Sequence, residues 1–197
     1  MNTPPRGQAG IGLMMLAIGR KRGFAYFGTG TDAYLSSLAP LVALALVLGT
    51  FTMLGGNVKV GLILMLELLI GILTPAVVAH PLCRRWARES AWALYATLLN
   101  WTPLVVVLAI AVESVVVKLL VLLGVPAATA LPICAALLSI YLMWFQWFIA
   151  RGALRLTRWR TAGLLLITSM VCYTLMLTPL ALGGDLAILI PADTLVQ

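Results

Sequence analysis

The sequence predicts an all-α fold, a polytopic transmembrane helix bundle of about five spans, and three observations carry that prediction. First, 62% of the 197 residues are hydrophobic and only 10% are charged, whereas soluble chains average roughly 45–50% and about 25%. So much apolar surface needs a solvent other than water. Second, the apolar residues gather in runs of about 20, the length a helix needs to cross a bilayer. They do not alternate with polar residues as the strands of a membrane β-barrel do. Third, the basic residues sit in clusters beside those runs. A net charge of +7 distributed in this way is topogenic, and it argues against nucleic acid as a partner.

Residues 1–32 read as a cytoplasmic N-terminal segment. Within it, Ala9 to Ile18 is apolar but too short to span. Gly19-Arg20-Lys21-Arg22 follows, where a cleaved signal peptide would carry small residues. The stretch is therefore expected to lie along the membrane interface as a helix. Gly28-Thr29-Gly30-Thr31-Asp32 lacks the lysine and the preceding strand of a phosphate loop, and it reads as a lead-in to the first span.

Residues 33–182 form the five-span membrane domain. Its first run, Ala33 to Leu54, ends at Gly55-Gly56-Asn57, and the second, Val60 to Ala79, ends at His80-Pro81. The third region, Trp92 to Gly124, is too long for one untilted span, at about 50 Å of helix. The preferred reading makes Ala91–Ala111 the span and Glu113–Gly124 an extra-cytoplasmic helix or re-entrant turn. That division keeps Glu113 and Lys118 near water. The other division makes Pro103–Gly124 the span and leaves residues 84–101 as an aromatic-rich interfacial helix. A fourth run covers about Ala127 to Ala150 and a fifth Thr161 to Leu182, after which residues 183–197 form an extra-cytoplasmic tail.

Orientation follows from the basic residues. Arg6, Arg20, Lys21 and Arg22 precede the first run, Arg84, Arg85 and Arg88 follow the second, and Arg151, Arg155, Arg158 and Arg160 follow the fourth. Of the 13 basic residues only Lys59 and Lys118 fall on the other side. The positive-inside rule then places the N-terminus and both basic loops in the cytoplasm and, with five spans, the C-terminus outside.

Few residues offer chemistry. Glu67 lies in the middle of the second run, where an ionised carboxylate is costly. It marks either a proton or cation site or a packing contact. Asn100-Trp101-Thr102-Pro103 combines a helix-interior proline with polar neighbours that can satisfy the carbonyl it frees. On the fourth run Ala128, Ala135, Ser139, Gln146 and Ala150 recur near helical repeats, the pattern of a close-packing face. Glu67, Asn100 and Gln146 together form the candidate intramembrane polar site. Arg84, Arg85, Arg88, Arg151, Arg155, Arg158 and Arg160 form a basic cytoplasmic rim. Tyr141, Trp144 and Trp147 are expected to anchor the fourth span at the headgroup level. Glu113 and Lys118, five apart, do not share a helix face and read as boundary anchors. His80, the only histidine, has no acidic neighbour in sequence and is a poor metal or haem ligand. Cys83, Cys134 and Cys172 share no ligand or redox spacing and read as small apolar fillers. No catalytic constellation appears, so neither an enzyme nor a bound cofactor is expected.

Tyr34-Leu35-Ser36-Ser37-Leu38-Ala39-Pro40, the Asn100-Trp101 pair, and Tyr141-Leu142-Met143-Trp144-Phe145-Gln146-Trp147-Phe148 resemble segments of the Yip-type (Ypt-interacting protein) membrane-domain family, in particular its small bacterial members. The five closely spaced spans resemble that family too. Its eukaryotic relatives carry a long soluble N-terminal region with an Asp-Leu-Tyr-Gly-Pro-like motif that has no counterpart here. The resemblance implies a protein of the bacterial inner membrane that binds or organises other membrane proteins, or itself, in the bilayer. Two other functions fit the sequence: a small transporter or channel subunit using Glu67, Asn100 and Gln146, and an accessory subunit of a respiratory or other membrane enzyme complex.

Overall fold

The computed structural model describes residues 8–177, and their regular structure is entirely helical. Six α-helices follow in order: α1 (Ala9–Ala17), α2 (Thr31–Leu54), α3 (Val58–Arg85), α4 (Glu89–Leu122), α5 (Ala127–Leu154) and α6 (Arg158–Met176). A short 3-10 helix, Lys21–Tyr26, separates the first two. Four of them, α2 to α5, are long and apolar enough to cross a membrane, as a membrane protein requires. The fifth apolar run is helical as far as Met176. Its last residues, the tail 183–197 and residues 1–7 lie outside the described part.

Each boundary has a local cause. Gly55, Gly56 and Asn57 turn α2 into α3, with Gly56 at φ 91°, a backbone conformation only glycine adopts freely. Farther down that hairpin Gly49 and Gly61 let the two helices touch. A Cβ on Gly61 would stand 2.6 Å from the Gly49 carbonyl oxygen and 2.5 Å from Met53. At the other end, α3 turns into α4 through Ala87 at φ 54°, and α5 into α6 through Arg155 at φ 50°. The Arg88 amide closes the first turn onto the Cys83 carbonyl at 2.8 Å, the six-to-one bond of a Schellman ending.

Two sequence expectations about helix ends are corrected. His80-Pro81 does not stop the second run: α3 continues through Pro75 and Pro81 to Arg85. The indole of Trp92 donates to the Ala76 carbonyl at 2.9 Å, bracing the turn that Pro81 disturbs. Nor does the third region divide, because α4 is one helix of 34 residues running through Pro103 and past Glu113. Pro103 takes away the donor that the Leu99 carbonyl would use. The hydroxyl of Thr102 meanwhile returns to Leu98 at 3.1 Å and that of Thr97 to Ala93 at 2.8 Å. Neighbouring helices hold the remainder in line, which is how transmembrane helices tolerate interior prolines.

The core lies at one end. Leu13 and Leu16 of α1, Ala79 and Cys83 of α3, Tyr95 and Leu98 of α4, Phe145, Ile149 and Leu154 of α5, and Leu164 of α6 are buried in a single cluster. Apart from Val105 of α4, the α3 to α6 members sit near the basic helix ends. Toward the other end most side chains turn outward. On α4 Leu104, Val107, Leu108, Val112, Val115 and Leu122 are exposed, and on α5 Leu131, Leu137, Ile140 and Met143. The exposed apolar stretch of α4, residues 104–122, is about 28 Å long by helical rise, close to the roughly 30 Å of a bilayer's hydrocarbon.

The N-terminal segment packs onto the core. Leu16 is completely buried, the Tyr141 hydroxyl donates to the Ala17 carbonyl at 3.0 Å, and Phe27 meets Trp101 edge-on at 6.4 Å. An interfacial helix needs one apolar and one polar face. Ala9–Ala17 is apolar all round; Leu13 and Leu16 turn into the core, while Ile11 and Met14 stay exposed. Leu16→Ala is therefore expected to lower the unfolding free energy by roughly 2–4 kcal/mol. Leu122→Ala, at a site 82% exposed, is expected to change it by less than about 0.5 kcal/mol. Unfolding in detergent, followed by circular dichroism, measures both.

Candidate functional site

Glu67, Asn100 and Gln146 come from three different helices, yet all three line one cavity of about 550 Å³. α3 contributes Glu67, Gly71 and Pro75, α4 contributes Leu99, Asn100, Thr102 and Pro103, α5 contributes Gln146, and α6 contributes Thr168, Ser169 and Cys172. The cavity borders the core, because Tyr95 of the core also lines it. Asn100 is buried, Glu67 half-buried and Gln146 exposed.

Asn100 is held by a chain of hydrogen bonds. Its amide donates to the Ser37 hydroxyl at 2.9 Å, and that hydroxyl donates to the Tyr34 carbonyl at 2.7 Å. This ties α4 to the first turns of α2. Thr168 is different: its hydroxyl oxygen is buried with no hydrogen-bond partner. Both prolines on the wall act on the same space, since Pro75 leaves the Gly71 carbonyl, and Pro103 the Leu99 carbonyl, without the usual amide donor. A carboxylate, two amides, hydroxyls and two freed carbonyls make an acceptor-rich lining. It suits a small cation or a donor group presented from a neighbouring helix.

The basic rim divides into two sets. Arg88, Arg151 and Arg155 line a second cavity, of about 950 Å³, together with Lys21 of the 3-10 helix. Arg84, Arg85, Arg158 and Arg160 lie outside its lining, and the Arg160 guanidinium stands 6.0 Å from the centre of the Trp86 ring. Trp144, Trp147 and Phe148 form the apolar wall, with Trp144 and Phe148 stacked at 5.5 Å. Phe24 completes it, packed over Gly152, where any side chain would collide with the ring. Both left-handed turn residues, Ala87 and Arg155, border this cavity.

His80 does have an acidic neighbour in space. Its Nε2 lies 3.8 Å from a Glu89 carboxylate oxygen, and its ring meets Trp92 edge-on at 5.0 Å. Tyr34 packs on the other side of Trp92 at 5.2 Å. His80 thus belongs to a latch joining α2, α3 and α4 at their basic ends. The pair is too exposed to add much stability. On the small-residue face of α5, Ala150 is buried, but Ala128, Ala135, Ser139 and Gln146 are exposed, so no helix among the described residues covers them. Glu113, within the unbroken α4, lines an apolar groove with Met14, Leu137 and Tyr141. Cys83 and Cys134 are buried, as fillers are, and Cys172 lines the polar cavity.

No family model, curated protein or solved structure matches the chain.

Two substitutions in the polar cavity are expected to act in opposite directions. Asn100→Ala removes the bridge to Ser37 and is expected to cost roughly 1 kcal/mol. Thr168→Val replaces an unpartnered buried hydroxyl with a methyl group and is expected to be neutral or stabilising by up to about 1 kcal/mol. Unfolding of both variants in the same detergent checks the signs.

Proposed function

We propose that this chain is a non-enzymatic, multi-pass membrane protein that binds or organises other membrane components by accepting a helix of another membrane protein along α5. The observation that carries this reading is the open face of Ala128, Ala135, Ser139 and Gln146. Seven- and four-residue steps keep these positions on one side of the helix. Small side chains there let a second backbone approach closely, the usual basis of helix association in lipid. Gln146 belongs to this face and also to the polar cavity. A polar group on the incoming helix could therefore reach Glu67, Asn100 and Thr168.

The proposed topology has five crossings, the fifth being Thr161–Leu182, with the N-terminus and the basic loops in the cytoplasm. The charge asymmetry supports it. For the third crossing, the exposed apolar band of α4 supports Pro103–Gly124 over Ala91–Ala111, leaving the first turns of α4 in the packed, basic half. Lys118 then reaches the far interface by snorkelling. The bacterial inner membrane is the proposed location, on the strength of the compact loops and the Yip-type resemblance.

A second reading has its own support. Convergence of Glu67, Asn100, Gln146 and an unpartnered Thr168 on one cavity suits a small transporter or channel subunit that passes a proton or cation. Intramembrane carboxylates commonly mark such paths.

Purification in a mild detergent, followed by identification of co-purifying proteins, separates the two. The organiser reading predicts stoichiometric recovery of a membrane partner or a second copy, reduced several-fold by Ala135→Leu. A chain that runs alone, is indifferent to Ala135→Leu, and loses proton-coupled uptake in vesicles on Glu67→Gln favours the transporter. For topology, a reporter fused after Gln197 is expected to be active only outside the cytoplasm. Cytoplasmic activity would require an even number of crossings.

A further inference from the structure

We propose that the cavity lined by Lys21, Arg88, Arg151 and Arg155 binds the headgroup phosphate of an anionic phospholipid. The four cations come from the 3-10 helix, the α3–α4 turn and the end of α5, and they converge on one space of about 950 Å³. Among the described residues none of them has a carboxylate within ion-pair distance, because the one ion pair there joins His80 to Glu89. Topogenic charge needs only to lie on the correct side of the membrane. It gives no reason for four exposed cations from three separate elements to line one cavity. A bound anion would pair with them.

The remaining lining narrows the class of anion. Thr29 and Ser90 add hydroxyl donors. The first turn of α4, a 34-residue helix, adds the positive end of its dipole. Along the same face of α5 as Arg151, Trp144, Trp147 and Phe148 supply an apolar wall, with Trp144 44% exposed. A free inorganic ion would have no use for this wall, whereas the glycerol and acyl-ester portion of a lipid would lie against it. Indole rings favour that level of the bilayer, and basic pockets between transmembrane helices are a known solution for anionic headgroups. Two left-handed, non-glycine residues at the rim, Ala87 and Arg155, fit a site whose shape is held at some backbone cost.

The test uses the full chain, purified and delipidated in a neutral detergent, with thermal stability read during titration. Phosphatidylglycerol is expected to raise the melting temperature in a saturable way. Phosphatidylcholine and inorganic phosphate at the same concentrations are expected to leave it unchanged. The double variant Arg88→Gln/Arg151→Gln is expected to weaken the phosphatidylglycerol response roughly 30-fold. Arg84→Gln/Arg85→Gln removes the same charge from the same end but outside the cavity, and is expected to shift it less than about twofold. Lys21→Gln, on a different element, supplies an independent variant should the double change impair folding; its expected loss is about fivefold. Equal losses from both arginine pairs would overturn the site in favour of diffuse surface charge. An equal response to inorganic phosphate would make it a soluble-anion site and overturn the lipid assignment. Ala135→Leu is expected to leave the lipid response intact, so failure of the α5 docking reading and failure of this site are told apart.

Discussion

Lipid gives an apolar side chain no reason to leave it, and that constraint divides this molecule in two. Where α4 and α5 pass beyond Pro103 and Met143, most Leu, Val and Ile side chains point outward, while Val105, Ala130 and Cys134 are buried. Packing is concentrated at the opposite, basic end, where Leu16, Tyr95, Leu98, Phe145 and Leu154 close around one another. The N-terminal segment completes that end, since α1 and the 3-10 helix supply Leu13, Leu16 and Phe24, against which α5 is seated. The same half carries most of the basic residues. Order, charge and aromatic side chains therefore coincide, and the other half is left as a surface.

Both cavities lie on the flanks of this packed half. The polar one borders the core, with Tyr95 on its wall. Pro75 and Pro103 keep backbone carbonyls available there, and Asn100 is locked through Ser37 to the α2 backbone. The basic one opens at the helix ends, where two tight turns bring Arg88 and Arg155 beside Lys21. Under the proposed organiser role, the packed end would hold other membrane components at the acceptor-rich crevice and the donor-rich pocket.

The apolar runs and the clustered charges are legible in the sequence because each is a composition averaged over about 20 residues. The three polar site residues are legible for a related reason: a Glu, an Asn and a Gln stand out in apolar surroundings, and cost alone singles them out. Their meeting in one cavity is not legible, because it depends on how α3, α4 and α5 are rotated against each other. Lys21 is hidden among three consecutive basic residues that look interchangeable, and Thr168 among the hydroxyls and small side chains of α6. One helix end misleads for a local reason: His80-Pro81 carries an ordinary stop signal, yet α3 continues to Arg85, braced by the Trp92 bond to Ala76. The α5 stripe is legible as a row of small residues, but its exposure among the described residues is not, because that depends on where the neighbouring helices lie.

The division into a packed half and a lipid-facing half is tested most directly by spin labels placed singly along α4, from residue 92 to residue 122, in the chain reconstituted into bilayers. Collision with oxygen, which concentrates in lipid, is compared with collision with a water-soluble relaxant. The account predicts low accessibility to both reagents at most positions between 92 and 101. It predicts high oxygen accessibility from 104 onward, greatest near the middle of that stretch. An oxygen maximum centred within residues 91–111, with the water-soluble reagent reaching Glu113 to Leu122, would contradict it and restore the shorter, earlier crossing.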